Sequence, residues 1–187
     1  MTRLQRNSGI KPEPVTVAHI PGALLLEAKE IVMKNPQAET LFMLSGAYRG
    51  QVCTVTGIHS ITDGVRGNAN SVQVHDARAA NRQLDRARAG RTDTHIGTAH
   101  SHLPHHAQGP SEQDIRNMRK YGAQSIHFIF QNRGNGTMGF QARNANGERV
   151  AVAVHTQDGV RWDAPNAPHW RLEEDGRISD ITLGTAA

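Results

Sequence analysis

Scarce cysteine, few aromatics and no long apolar run bound this chain before any motif is read. Cys53 is the single cysteine among 187 residues, so no intrachain disulfide can form, which fits a reducing compartment. It lies in QVCTVTGI, whose alternation reads as a strand, so the thiol is expected to be a strand residue and not a nucleophile. No stretch approaches the roughly 18 consecutive apolar residues that suggest a spanning helix. The N-terminus MTRLQRNSGIKPEP has no apolar signal core. A cytoplasmic protein with no membrane partner is the expectation. Apolar residues reach 37% and aromatics only 4%, lean but sufficient for one ordinary core. Neither charge dominates: 21 Lys and Arg face 17 Asp and Glu, leaving +4. An excess that small does not argue for nucleic acid.

Against these absences, the ordered segments stand out. Residues 1–14 are polar and read as a flexible N-terminal tail, and 15–187 as a single domain with a variable C-terminal segment from about residue 160. VTVAHI is a short strand or lead-in. In PGALLLEAKEIVMKN, Leu24, Leu25, Ala28, Ile31 and Val32 follow a helical period that starts at Pro21 and ends before Pro36. AETLFMLSGAYRG and QVCTVTGIHSI read as a hairpin turning at Arg49-Gly50. DGVRGNAN reads as a loop, SVQVHD as a strand and ARAANRQLDRARAG as a helix stopped by Gly90. TDTHIGTAHSH is a strand, and PSEQDIRNMRKYG a helix with Ser111 as N-cap and Asp114 completing a capping box. SIHFIFQNRGNG, TMGFQARNANG and RVAVAVHTQDG are three strands. RWDAPNAPHWRLEEDG reads as loop and RISDITL as a final edge strand. This order predicts a mixed α/β (α+β) domain built on a sheet.

Four of the eleven histidines fall within seven residues, in HSHLPHHAQGPSEQD from His100 to Asp114. His100 and His102 are two apart. A strand puts both rings on one face, whereas a helix would separate them by about 200°. Asp114 lies in the first turn of the following helix. Two imidazoles and a carboxylate make a three-ligand set for Zn2+ that keeps a position open, as catalytic sites do. The same residues also read as a polar loop followed by a helix cap. His105 and His106 read as residues lining the loop beside the metal, and His59, His75, His127, His155 and His169 as structural or exposed.

The segment resembles the metal motif of the JAMM metalloproteases, members of the JAB/MPN family: His-x-His, a spacer, then Ser-x-x-Asp, here His100, His102, Ser111 and Asp114. NPQAETLFMLSGAYRG resembles the context of the family's upstream glutamate and places Glu39 there. Glu27 and Glu30 belong to the first helix and match less well. The resemblance spans roughly Ala18 to Val154. Two departures stand: eight residues separate His102 from Ser111, one more than the motif's usual spacing, and the proline usual after the second histidine is displaced by Leu103 to Pro104.

The resemblance implies a JAB/MPN-like, cytidine-deaminase-like mixed sheet flanked by helices, and a bacterial zinc isopeptidase or peptidase. His100, His102 and Asp114 would hold Zn2+. Glu39 would act as general base and then general acid, and Ser111 would donate a hydrogen bond to the developing oxyanion. The implied substrate is the C-terminus of a ubiquitin-like modifier or sulfur carrier, free or conjugated, with E1/E2-like operon partners. Two alternatives remain at this stage: a metal-free protein-binding scaffold, and a RadC-like DNA-associated protein. For the latter, Arg78, Arg82 and Arg86 recur every four residues, with Arg88 and Arg91 beyond.

Overall fold

The computed structural model describes residues 13–106, 109–134, 136–163, 169–172 and 178–181. Of the expected tail, residues 1–12 lie outside these, and Glu13 accepts a hydrogen bond from Gln51 Nε2 at 2.6 Å. Strand β1 (Val17–Pro21) runs directly into helix α1 (Gly22–Lys34). Pro21 stands at the N-cap, where its missing N–H interrupts no helical bond. The apolar positions expected to be periodic are the ones that pack: Leu25, Ala28 and Val32 are buried, and Leu24 and Ile31 flank them. Glu27 and Glu30 point to solvent.

The β2 (Leu41–Arg49) and β3 (Val52–Ile61) hairpin turns over Gly50-Gln51, with Gly50 at φ 61°. Cys53 is fully buried in β3, and burial pushes its thiol up to about 12, in keeping with a packing role.

The segment read as a loop contains a strand. β4 (Val65–Gly67) pairs with β5 (Val72–Val74). The turn between them is closed by the Asn68 carboxamide oxygen, which accepts from the backbone N–H of Asn70 (2.8 Å) and Ser71 (2.9 Å). A side chain that mimics a backbone turn needs only one residue, so a short hairpin forms where Gly and Asn density suggested irregular chain.

Helix α2 (Ala77–Ala87) is capped by Asp76, whose carboxylate accepts from Arg78 N and Ala79 N. Then follow β6 (Thr94–His102), α3 (Glu112–Met118), β7 (Ile126–Asn132), β8 (Met138–Asn144) and β9 (Arg149–Thr156).

The stretch from Val160, read as loop, also contains strands: β10 (Gly159–Asp163) and β11 (His169–Leu172), followed by β12 (Ile178–Ile181). β10 folds back on β9 across Gln157-Asp158, pairing Gly159 with Thr156. A two-residue turn sets that register whatever the later prolines do. The parts of the loop reading at 164–168 and 173–177 lie outside the described residues. β12 is an edge strand, as expected.

The large sheet has the order β10-β9-β1-β3-β2-β6-β7-β8-β11-β12. β9 also pairs with β8, through Ala142↔Val150 and Arg143↔Arg149. Strands β9, β1, β3, β2, β6, β7 and β8 therefore form a closed circuit, with α1 packed against β1, β3, β7 and β9. The core lies between α1 and this curved sheet and includes Phe42, Leu44, Ile96, Phe128 and Phe130. Phe42 and Phe130 meet edge to face at 5.5 Å. On the outer side, Ala80 and Leu84 of α2 cover Met43 and Ile61. The result is a mixed α/β fold whose sheet is flanked by helices, with β6 near its middle.

Candidate metal centre

β6 lies between two partners of opposite sense, antiparallel to β2 and parallel to β7. Alternation along it sends Thr98, His100 and His102 toward a cleft. Ser101, on the other face, is buried. The two histidine Nε2 atoms stand 3.0 Å apart. Asp114 reaches them from the first turn of α3. Its Oδ1 is 3.3 Å from His100 Nε2, and its Oδ2 is 3.5 Å from His102 Nε2. Suitable ligand atoms of the three residues all lie within 4.8 Å of one another.

The expected capping box forms, and it aims the carboxylate. Ser111 Oγ accepts from Asp114 N–H at 3.1 Å, while Ser111 N–H and Oγ–H both donate to Asp114 Oδ2 at 2.7 Å. Burial disfavours the charge on Asp114, but hydrogen bonds from His100, His102 and Ser111 outweigh it and hold the carboxyl well below the usual range. α3 ends at Met118, short of Gly122.

Glu39 sits just before β2 and is buried beside this set. Its backbone N–H donates to Asn68 O at 3.0 Å. The next residue, Thr40, is locked to Ser101 by two hydrogen bonds, Thr40 N–H to Ser101 Oγ (2.8 Å) and Ser101 N–H to Thr40 O (3.0 Å). Burial raises the Glu39 pKa, partly offset by His100, His102 and His106. A carboxyl in a buried pocket is thereby made more basic.

All five residues singled out in the sequence, Glu39, His100, His102, Ser111 and Asp114, line one cleft of about 970 Å³. His105 and His106 line it too, and His106 Nδ1 lies 3.0 Å from Glu39 Oε1. Sequence reasoning did not foresee that contact, nor Ser101, nor the β4–β5 hairpin that supplies Val72, Gln73 and Val74 to the cleft wall. His127, read as structural or exposed, is a buried wall residue. Its ring nitrogens meet Thr98 Oγ1 (3.0 Å) and Ser125 Oγ (2.9 Å), with Tyr121 stacked obliquely at 4.9 Å. The arginines of α2 are exposed at 78, 82 and 86, and Arg86 is tied to Asp63 at 2.7 Å. Arg91 pairs with Asp93 at 2.6 Å.

The chain belongs to the family of prokaryotic homologs of the JAB domain, whose model matches residues 23–146. Among solved structures it is similar to a JAB1/MPN domain protein from Archaeoglobus fulgidus, at 20% identity and TM-score 0.47, over 74% of this chain and 98% of that one. It is also similar to a protein of Desulfitobacterium hafniense, solved in solution, at 14% identity and TM-score 0.53, over 78% of this chain and 89% of that one. The latter likeness is one of fold. No curated protein has a significantly similar sequence. No helix among the described residues is long and apolar enough to cross a membrane.

Proposed function

We propose that the chain is a JAMM-type zinc hydrolase that cleaves the amide or isopeptide bond following the C-terminus of a ubiquitin-like protein or sulfur carrier. The observation that carries this reading is the convergence of His100, His102 and Asp114 with Glu39 beside them in one cleft. The donor chemistry fits Zn2+: two imidazole nitrogens and one carboxylate oxygen, a set that leaves a coordination position open. Zn2+ held there would supply a Lewis acid that makes water acidic near neutrality and polarises a carbonyl.

The protein's own groups divide the remaining work. Glu39, made more basic by burial, takes the proton from the attacking water and delivers it to the leaving amine. Ser111, whose hydroxyl now bonds Asp114, turns that donor toward the developing oxyanion. An extended glycine-rich tail is the substrate form that suits the cleft. β5 is an edge strand of its two-stranded sheet and lines the wall with Val72–Val74, so a tail can add to it by backbone pairing. In this proposal residues 15–187 act as one domain in the cytoplasm, with E1/E2-like partners supplying the conjugate.

A metal-free scaffold has no need of a capping box that aims a carboxylate at two histidines with a buried glutamate alongside. A DNA-associated role would need a free basic stripe on α2, and Arg86 is already engaged with Asp63.

The test is metal content by elemental mass spectrometry on wild type and His102→Ala. About one zinc per chain is expected in wild type and loss in the variant. Glu39→Gln should keep zinc yet fail to hydrolyse a fluorogenic peptide amide ending in Gly-Gly. Absence of stoichiometric metal in the wild type after zinc is supplied would overturn the hydrolase reading.

A further inference from the structure

The loop between the HxH strand and the SxxD helix carries one residue more than the motif's usual spacing, and its proline stands one place late. The geometry assigns this departure a use. Leu103, Pro104, His105 and His106 form a hydrogen-bonded turn in which His106 N–H donates to Leu103 O at 3.0 Å. Pro104 occupies the second position of that turn, where its fixed φ favours the bend. Leu103 O is held a second time, by the Gln131 amide at 2.8 Å, and both Leu103 and Gln131 are buried. The turn is therefore anchored to β7, and its fourth residue, His106, is brought to Glu39 with Nδ1 at 3.0 Å from Oε1.

We propose that His106 is a positioning residue for Glu39: its ring, with Nδ1 3.0 Å from Oε1, fixes the orientation in which the carboxylate faces the metal-ligand group. The proposal rests on the hydrolase reading above. It deepens that reading by giving the extra loop residue a role in the reaction. The observations fit together. Glu39 is tethered through its backbone to Asn68, and its neighbour Thr40 to Ser101, but both are main-chain restraints. The carboxylate still rotates about its side-chain bonds unless a side chain holds it. His106 supplies that hold, and its ring packs against His102 at 5.6 Å and His105 at 4.5 Å.

The contact can be read without activity. Nitrogen-15 NMR of histidine-labelled, metal-free protein, with His106 assigned by its disappearance in His106→Asn, reports the surroundings of its ring nitrogens. The Nδ1 shift of His106 should change in Glu39→Ala, because Nδ1 lies 3.0 Å from Oε1. The functional arm uses zinc-loaded protein and the Gly-Gly peptide amide. His106→Ala should lower kcat on the order of tenfold with little change in KM, as expected for loss of an orienting partner. His106→Asn, whose amide nitrogen takes the place of Nδ1, should recover most of it. His106→Ala should have no further effect in a Glu39→Gln background. An Nδ1 shift indifferent to Glu39→Ala overturns the proposal, and so does an Asn variant as slow as the Ala variant. Failure of zinc-loaded wild type to cleave the probe sinks the hydrolase reading instead, while the nitrogen shift still decides whether His106 holds the Glu39 carboxylate.

Discussion

Thr40 and Ser101 are joined by a reciprocal pair of hydrogen bonds, one through the serine hydroxyl at 2.8 Å and one through backbone at 3.0 Å. Ser101 stands between His100 and His102 on the opposite face of β6, and Thr40 follows Glu39. The residue that separates the two histidines is thus the one that fixes the glutamate's segment beside them. Position along the strand alternates between site and support.

Removing that support should be felt in stability. Ser101→Ala leaves the Thr40 N–H buried without its acceptor, which costs about 1–3 kcal/mol. Urea unfolding should show the loss. Zinc content should be unchanged, because neither histidine is touched. A variant as stable as wild type would mean that water replaces the hydroxyl.

Gly67 of β4 is packed against the main chain of Glu39. A Cβ there would lie 2.0 Å from Glu39 O, a clash that backbone must relieve. Gly67→Ala should displace Glu39 and reduce hydrolysis by on the order of tenfold or more, with zinc content preserved. No functional group is deleted, so a drop in kcat with metal retained would show that the β4–β5 hairpin positions the glutamate. An unchanged kcat would show that the hairpin itself gives way.

That hairpin also marks where sequence reasoning stopped. The α1 period, the HxH alternation and the Ser111–Asp114 box are local patterns, each readable within a few residues, and all correspond to elements seen in the fold. β4 is only three residues long, and its turn depends on one side chain, Asn68, so no period exists to detect. The Thr40–Ser101 pair joins residues far apart in the chain and needs the β2–β6 register. His106 reaches Glu39 only because Gln131, on another strand, holds Leu103 O. No local pattern foretells it. Strands β10 and β11 were obscured by the prolines and charges of RWDAPNAPHWRLEEDG, which look like loop composition.

Ser111 separates two contributions that the sequence runs together. As N-cap it satisfies Asp114 N–H at 3.1 Å, and as donor it bonds Asp114 Oδ2 at 2.7 Å. Loss of an N-cap hydroxyl costs about 1 kcal/mol, whereas loss of an oxyanion donor lowers kcat about 100-fold or more. Ser111→Ala should therefore show a small drop in thermal midpoint and a disproportionate drop in kcat. Equal and small losses in both would assign Ser111 to capping alone.

The last prediction concerns acid. Burial, helped by the charges on His100 and His95, pushes the His127 pKa down to about 4 from 6.5. The folded protein thus holds this ring neutral between Thr98 and Ser125 over a range in which the unfolded chain protonates it. Stability due to the neutral ring is fully present above pH 6.5 and is lost as pH falls toward 4, with a slope of up to about 1.4 kcal/mol per pH unit. Denaturant unfolding of metal-free protein across this window should show that decline, and His127→Gln should flatten it by about one proton's worth. His59 and His95 are also lowered by burial and act in the same direction. A slope that persists undiminished in His127→Gln would therefore transfer the acid sensitivity from the cleft wall to those two rings.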